Sequence, residues 1–254
     1  MACIESKGWR PAPVEEHFHD PILCRESTCQ VELLRRGSEK EQAFRLRHRL
    51  FAETLRWVPE TASGLEVDAY DACTDMIAVL DPGRRVLGQV RVHEASAPYM
   101  IEREFASVLG ASPIPAKGRD SAELTRFGVQ PEARTQTVPT PFGRFDLFTL
   151  LFKGAYRWSK AHGVRIIYGV TDQRVFRLLH LRGFPFETLA EPRLMPDGVV
   201  ALAIRMDWAR FEDQNFRCRP ALLAWFASAG VPGPQRPARC LDECVPPLRP
   251  YALR

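Results

Sequence analysis

The sequence predicts an α/β domain built on one mixed sheet with helices on both faces. Three features lead there. Apolar runs of strand length recur over residues 29–93 with turn residues between them. Strand, helix and strand then alternate through the second half, the order of a crossover connection. The 254 residues, 45% of them hydrophobic, suffice for a full core without disulfides or metals.

Residues 1–29 carry no clear periodicity and read as an irregular arm, residues 30–230 as the folded domain. From Cys29 the segment Cys-Gln-Val-Glu-Leu-Leu alternates as a strand does. Ser38 with Glu41 three residues later forms a capping box, so a helix is expected to start there and run to about Leu55. Met76–Leu80 and Arg85–His93 flank Asp81-Pro82-Gly83-Arg84 and read as a hairpin. Ala122–Val129 is another strand. Leu147, Leu150, Leu151, Gly154, Ala155 and Trp158 recur at helical spacing, and Gly163 closes that helix. Arg165–Val170 is a strand, Asp172 caps a helix running to Gly183, and Val199–Met206 is the last long strand. A helix over residues 220–229 ends the fold. The tail, residues 231–254, holds six prolines and is expected to be mobile.

Composition narrows the classes. No apolar run approaches the ~20 residues of a membrane span, and Met1–Arg10 lacks a signal-peptide stretch. The expected location is the cytoplasm, with no membrane and no nucleic acid as partner. The seven cysteines form no Cys-x-x-Cys pair, which favours free thiols over a metal site. A net charge of +4 permits an acidic partner without demanding one.

Five groups of residues can carry chemistry. Arg47 and Phe51, four apart, share a helix face, with Trp57 beyond; an arginine in an apolar stripe needs acceptors, from a salt bridge or from a ligand. Glu66, Asp68 and Asp71 make a compact acidic group suited to a cationic ligand, or a solvated loop; no glycine holds the turn position of a calcium loop. Arg91 lies on the strand before His93, and strict alternation puts it on one face with Leu87, Gln89 and His93. Glu123 and Arg126 flank Thr125. Glu123 can take a proton from an amine and Arg126 can hold an anion, but a regular strand points the two to opposite faces, so one shared site requires a bulge, which Gly128 could ease. Arg144, beside Gly143, precedes a helix N-terminus of the kind that receives phosphate, unless Asp146 already caps it.

Taken together, Arg47…Phe51…Trp57, Asp68…Asp71, Arg91…Phe105 and Glu123…Arg126 resemble the signature of the acyl-homoserine-lactone synthases, the autoinducer synthases of bacterial quorum sensing. The local stretches Arg-His-Arg-Leu-Phe-Ala-Glu-Thr-Leu-Arg-Trp, Glu-Val-Asp-Ala-Tyr-Asp, Pro98-Tyr99-Met100 and Glu-Leu-Thr-Arg-Phe agree, over about Val31–Asp207. Thr125 stands where the family usually has serine, and both termini are longer than usual. The exosortase-associated acyltransferases resemble the pattern in part; Trp57 and Pro-Tyr-Met favour the synthases.

The resemblance implies a splayed, N-acetyltransferase-like sheet whose thioester arm threads between Ala122–Val129 and Arg165–Val170. It implies acylation of S-adenosylmethionine from an acyl carrier protein or coenzyme A, then lactone closure with loss of methylthioadenosine. Glu123, Thr125 and Arg126 are the implied catalytic group, with Glu123 as base. Arg47, Phe51, Trp57, Asp68 and Asp71 would shape the S-adenosylmethionine pocket, supported by Arg91 and Phe105. Arg144, Arg174 and Arg177 are candidates for the carrier or its phosphopantetheine, in a basic stretch with Arg165, His180 and Arg182; a solvated helix face explains them equally. No cofactor or metal is implied, both small molecules being substrates. An acyltransferase for another amine and a non-catalytic acyl-binding regulator are the alternatives.

Overall fold

One antiparallel ladder after another builds the first half of the sheet, and a single parallel contact joins it to the second. The computed structural model describes residues 21–110 and 117–230. The expected mobile tail lies outside the described residues, as does most of the expected arm.

The strands are β1 (Ile22–Glu26), β2 (Cys29–Leu33), β3 (Asp75–Leu80), β4 (Val86–Glu94), β5 (Ser121–Val129), β6 (Thr137–Thr140), β7 (Gly143–Asp146), β8 (Ile166–Asp172), β9 (Glu187–Thr188), β10 (Arg193–Leu194) and β11 (Val200–Asp207). The helices are α1 (Gly37–Arg47), α2 (Ala106–Leu109), α3 (Leu147–Ala161), α4 (Gln173–Leu181), α5 (Trp208–Cys218) and α6 (Pro220–Ala227). The main sheet runs β1-β2-β3-β4-β5-β8-β11-β10, with β9 also on β11, and β6-β7 is a separate hairpin. All its pairings are antiparallel except β5 with β8. That pair joins only at Ser121↔Ile166, Ala122↔Ile167 and Glu123↔Tyr168. Beyond Glu123 the two strands part, while β5 stays on β4 and β8 stays on β11. This is the expected splay.

The two faces have separate cores. Ile77, Val79, Val90 and Val92 meet α3, whose Leu147, Leu150, Leu151, Ala155 and Trp158 form the buried stripe read from the sequence. Gly154 is needed there, since a Cβ would lie 2.5 Å from a Val31 methyl. Met76, Ala78, Leu80 and Val86 meet Ala43, Leu46 and Leu50 on the other face.

Several elements differ from the sequence reading. Part of the expected arm is strand β1, whose alternation is hidden by a register shift between Ile22 and Cys24. The Ser38 capping box does not form: Arg36 precedes α1 and no side chain caps it. The α-helix stops at Arg47, and His48–Thr54 continue as a π-helix, the wider turn common beside functional sites. Helix α5 and the β6-β7 hairpin are additions to the elements expected from the sequence. A bulge in β4 leaves Leu87 without a partner in the pairing with β3, so Leu87 joins the α3 core while Val86 faces α1. Arg91 thus shares its face with Gln89, His93 and Val86, not with Leu87.

Candidate functional site

The site grows from one irregularity in β5. Its ladder with β4 pairs Glu123 with His93 and Thr125 with Arg91, then resumes at Gly128 with Gln89. Two residues of β5, Arg126 and Phe127, therefore oppose Val90 alone. Arg126 takes φ +54°, a left-handed conformation uncommon for any side chain but glycine. The Gln89 amide donates to the Arg126 carbonyl and holds the kink. The bulge turns Arg126 to the face of Glu123 and Thr125, while Leu124 and Phe127 pack on the α3 side. Gly128 does not supply the distortion. It leaves room for the end of the Leu50 side chain, which a Cβ would approach to 2.4 Å.

Around this strand three guanidinium groups meet three carboxylates. Arg47, fully buried at the end of α1, donates to Glu66 and, at 2.6 and 3.1 Å, to Asp71. Arg91, also fully buried, reaches Asp68 and Asp71, the latter at 3.0 Å. Arg126 bonds Glu66 at 3.0 and 2.8 Å and Asp68 at 3.3 Å. Asp68 and Asp71 are held in place by capping the 3-10 turn Ala69–Ala72. Burial pushes the Asp68 carboxyl up, but hydrogen bonding to Arg91 and the nearby arginine charges win, so it stays below the usual carboxylate range. Burial pushes Arg47 down, and its bonds to Asp71 and Glu66 reverse that.

Aromatic rings frame the charges. The Arg126 guanidinium lies 5.5 Å from the Phe51 ring, and Trp57, 41% exposed, stands 6.2 Å from Phe51 at the rim. Tyr70 stacks beside both Arg91 and His93 and donates to Glu104. Glu123 is fully buried. Its two oxygens accept from the backbone N–H groups of Met100 at 2.5 Å and Ile101 at 2.9 Å. Burial raises its carboxyl to about 7 against the pull of those two bonds.

Arg47, Phe51, Trp57, Asp68, Asp71, Arg91, Glu123, Thr125 and Arg126 are thus one constellation. Three further members lie in the motifs read from the sequence without a site role of their own. Glu66, seen only as part of an acidic group, is the link between Arg47 and Arg126. Met100 places its sulfur 3.1 Å from Arg91 and 3.8 Å from Arg126. Tyr70 covers the end near His93. Phe105 lies apart, packed with Tyr99, Ile101 and Val108.

The basic candidates are not brought to this cluster. Arg144 is exposed on β7 and bonds Thr137. Arg174 and Arg177 are exposed on α4. Asp146 accepts from Thr149 and Arg182 and closes the N-terminus of α3, so that end does not offer a phosphate site. Arg165 is tied to Asp120 and Asp207. Among the described residues one group has metal-ligand types together, Asp75, Glu94 and His162, on the α3 face. Asp75 already accepts from Arg35 and Trp158. The four cysteines among the described residues are free.

Known proteins share the sequence pattern and the fold of this chain. The model of a family described as autoinducer synthase matches residues 31–215. An acyl-homoserine-lactone synthase of Agrobacterium fabrum is 33% identical over 177 residues, 68% of this chain and 81% of that protein. A probable acyl-homoserine-lactone synthase of Sinorhizobium fredii is 31% identical over 195 residues, 73% of this chain and 89% of that one. Among solved structures, the AHL synthase LasI aligns at a TM-score of 0.62 with 21% identity, covering 71% of this chain and 90% of its own. The CoA-dependent acyl-homoserine lactone synthase BjaI, solved with SAM and isopentyl-CoA, aligns at 0.60 with 24% identity, covering 78% and 88%. Identities this low speak for the fold, and the fold agrees with the expected mixed, splayed sheet.

Proposed function

The chain belongs to the autoinducer synthase family, and from that premise we propose that it is an acyl-homoserine-lactone synthase working at the β5 bulge. It N-acylates S-adenosylmethionine from an acyl thioester, and the methionine carboxylate then closes the lactone and expels methylthioadenosine. The observation that carries this reading is Arg126. Only because β5 is bulged does Arg126 share a face with Glu123, Thr125 and Arg91, which joins a base to a polyvalent charge cluster.

Each group has a role in this reading. Glu123 takes the proton that the attacking amine must lose; a carboxyl raised to about 7 is matched to that task near neutral pH. Asp68 and Asp71 face the cationic parts of S-adenosylmethionine and Arg126 its carboxylate, while the sealed Arg47 and Arg91 hold the two aspartates from behind. Phe51 and Trp57 offer apolar walls. The β5–β8 gap beyond Glu123 admits the pantetheine arm. Proximity of carboxylate and γ-carbon drives lactone closure once the substrate is folded on itself. No resident cofactor or metal takes part. The donor is an acyl carrier protein or coenzyme A, with the exposed Arg144, Arg174 and Arg177 as docking charges for an acidic carrier. The enzyme works in the cytoplasm; among the described residues no helix is long and apolar enough to cross a membrane.

The test is incubation of purified protein with S-adenosylmethionine and a panel of acyl-coenzyme A and acyl-carrier-protein thioesters. Methylthioadenosine and a lactone of matching mass are expected. Acylation of another amine, or no turnover with any thioester, would refute the assignment.

A further inference from the structure

Thr125 lies just past the last β5–β8 pair, at the mouth of the splay, and its hydroxyl is bonded on two sides. Arg91 Nε donates to Oγ1 at 3.0 Å. His93 Nε2 lies 2.9 Å from the same oxygen, and His93 Nδ1 lies 3.1 Å from the Pro98 carbonyl. A carbonyl only accepts, so Nδ1 carries the hydrogen. Burial and the neighbouring Arg91 depress the imidazole to about 3, so the ring is neutral and Nε2 is bare. The Thr125 hydroxyl must then donate to His93. Its single hydrogen is used, one lone pair takes Arg91, and one lone pair remains. Arg91 and His93 are fully buried, whereas Thr125 is half-buried, so Thr125 is the one member of the trio that a substrate can reach.

We propose that His93 is a positioning residue. By taking the Thr125 hydrogen it makes Thr125 an acceptor on every other side, which holds Arg91 against Asp68 and Asp71 and leaves one lone pair for an N–H of the substrate amine. Without His93 the hydroxyl can turn its hydrogen elsewhere, and the acceptor that Arg91 Nε faces is no longer fixed. A neutral hydroxyl that receives a guanidinium hydrogen and an amine hydrogen together aligns the nucleophile without itself changing charge. The inference rests on the proposed acylation of S-adenosylmethionine.

The experiment follows methylthioadenosine release in His93→Leu, His93→Gln, Thr125→Val, Thr125→Ser and the double variant His93→Leu/Thr125→Val, alongside 15N spectra of the unaltered protein. The expected spectrum has protonated Nδ1 and bare Nε2 at neutral pH. His93→Leu and Thr125→Val should each lower kcat/KM for S-adenosylmethionine about tenfold, the upper end for one hydrogen bond between uncharged groups, and the double variant should lose little more than either. His93→Gln, whose amide oxygen can accept from Thr125 while its NH2 donates to Pro98, and Thr125→Ser should stay within about threefold of the unaltered protein. A protonated Nε2, fully additive losses, or a folded His93→Leu with unchanged kinetics would overturn the role of His93. An unaltered protein that releases no methylthioadenosine would overturn the reaction instead, and the spectrum would still decide the tautomer.

Discussion

Two groups of buried charges lie on opposite faces of the same sheet, and they are built differently. On the α3 face Lys153 donates to Glu26 and to Ser228 at 3.0 Å and lies over the Trp225 ring. Both side chains are sealed, at 0% and 1% exposed. Burial pulls Lys153 below the usual lysine range, and Glu26 works against it. On the α1 face Arg47 and Arg91 are equally sealed, but Asp68 is 23% and Arg126 11% exposed. Each member of the closed pair has one opposite charge and nowhere to exchange it. The α1 cluster has redundant partners and an open edge, so a zwitterionic ligand can replace some contacts while the rest hold the site. Buried charge alone does not mark function: the closed pair ties elements of the fold together, and only the open cluster leaves room for a ligand beside Glu123 and Thr125.

The comparison is sharpest where the proposed base itself is changed. Glu123→Gln should lower turnover about 10²- to 10⁴-fold, the range of a lost general base, while calorimetry should find S-adenosylmethionine binding little affected. Unaltered turnover, or equal loss of both, would count against the base. The pH profile is a second readout: activity should rise as pH climbs through about 7, where Glu123 loses its proton. Stability should run the other way. The folded carboxyl holds its proton above the unfolded value of 4.5, so between 4.5 and about 7 the native state binds more protons than the unfolded chain, and stability falls as pH rises.

Breaking the closed pair should act on folding instead. Lys153→Met leaves Glu26 buried without its cation, a loss of about 3–5 kcal/mol, with the melting temperature down by roughly 10 °C. Methylthioadenosine release per folded molecule should not change. A melting temperature within a degree of the unaltered protein would show that the pair is not a structural tie.

Removing one charge from the open cluster should cost less stability and more ligand. Asp71 bonds both Arg47 and Arg91, and Asp68 bonds Arg91 and Arg126. Asp68→Asn and Asp71→Asn keep the shape and remove the charge. S-adenosylmethionine should bind about 10- to 100-fold more weakly, the worth of a charged hydrogen bond. Affinity as in the unaltered protein in both variants would remove the carboxylates from the ligand's surroundings.

Both groups also show what a sequence displays. Elements marked by local chemistry were legible: Asp81 at the hairpin, where its carboxylate takes the Gly83 and Arg85 N–H groups, and Asp172 on α4, where it takes those of Arg174 and Val175. Ser38 offered the same kind of mark and misled, because α1 starts from Arg36. Most of the α1 cluster was legible because its members occur in short, dense motifs. The kink at Arg126 was legible only as a condition, that two side chains three apart share a site. The roles of Glu66 and Met100 within those motifs were not legible because they come from contacts: Met100 with Arg126, and Glu66 with Arg126 60 residues on. Lys153 and Glu26, 127 residues apart, left no trace at all.

The smallest expected effect is the most discriminating. Glu26→Leu with Lys153→Met replaces the closed pair by apolar groups of similar reach among Trp225, Leu23 and other core side chains. Each ion leaves together with the other, so no charge is stranded, and replacements of this kind tend to be neutral or stabilising by about 1–4 kcal/mol. Ser228 loses Lys153 as a donor but still bonds the Trp225 carbonyl at 2.7 Å. The double variant should therefore recover the melting temperature that Lys153→Met loses, and keep both turnover and S-adenosylmethionine affinity. No such exchange is open to the α1 cluster, where an apolar pair in place of Arg91 and Asp71 would also take one partner each from Arg47 and Asp68. A double variant that stays as unstable as Lys153→Met would mean that Glu26 and Lys153 hold β1, α3 and α6 together through a geometry apolar side chains do not supply, and the contrast between the closed and the open group would then be one of degree.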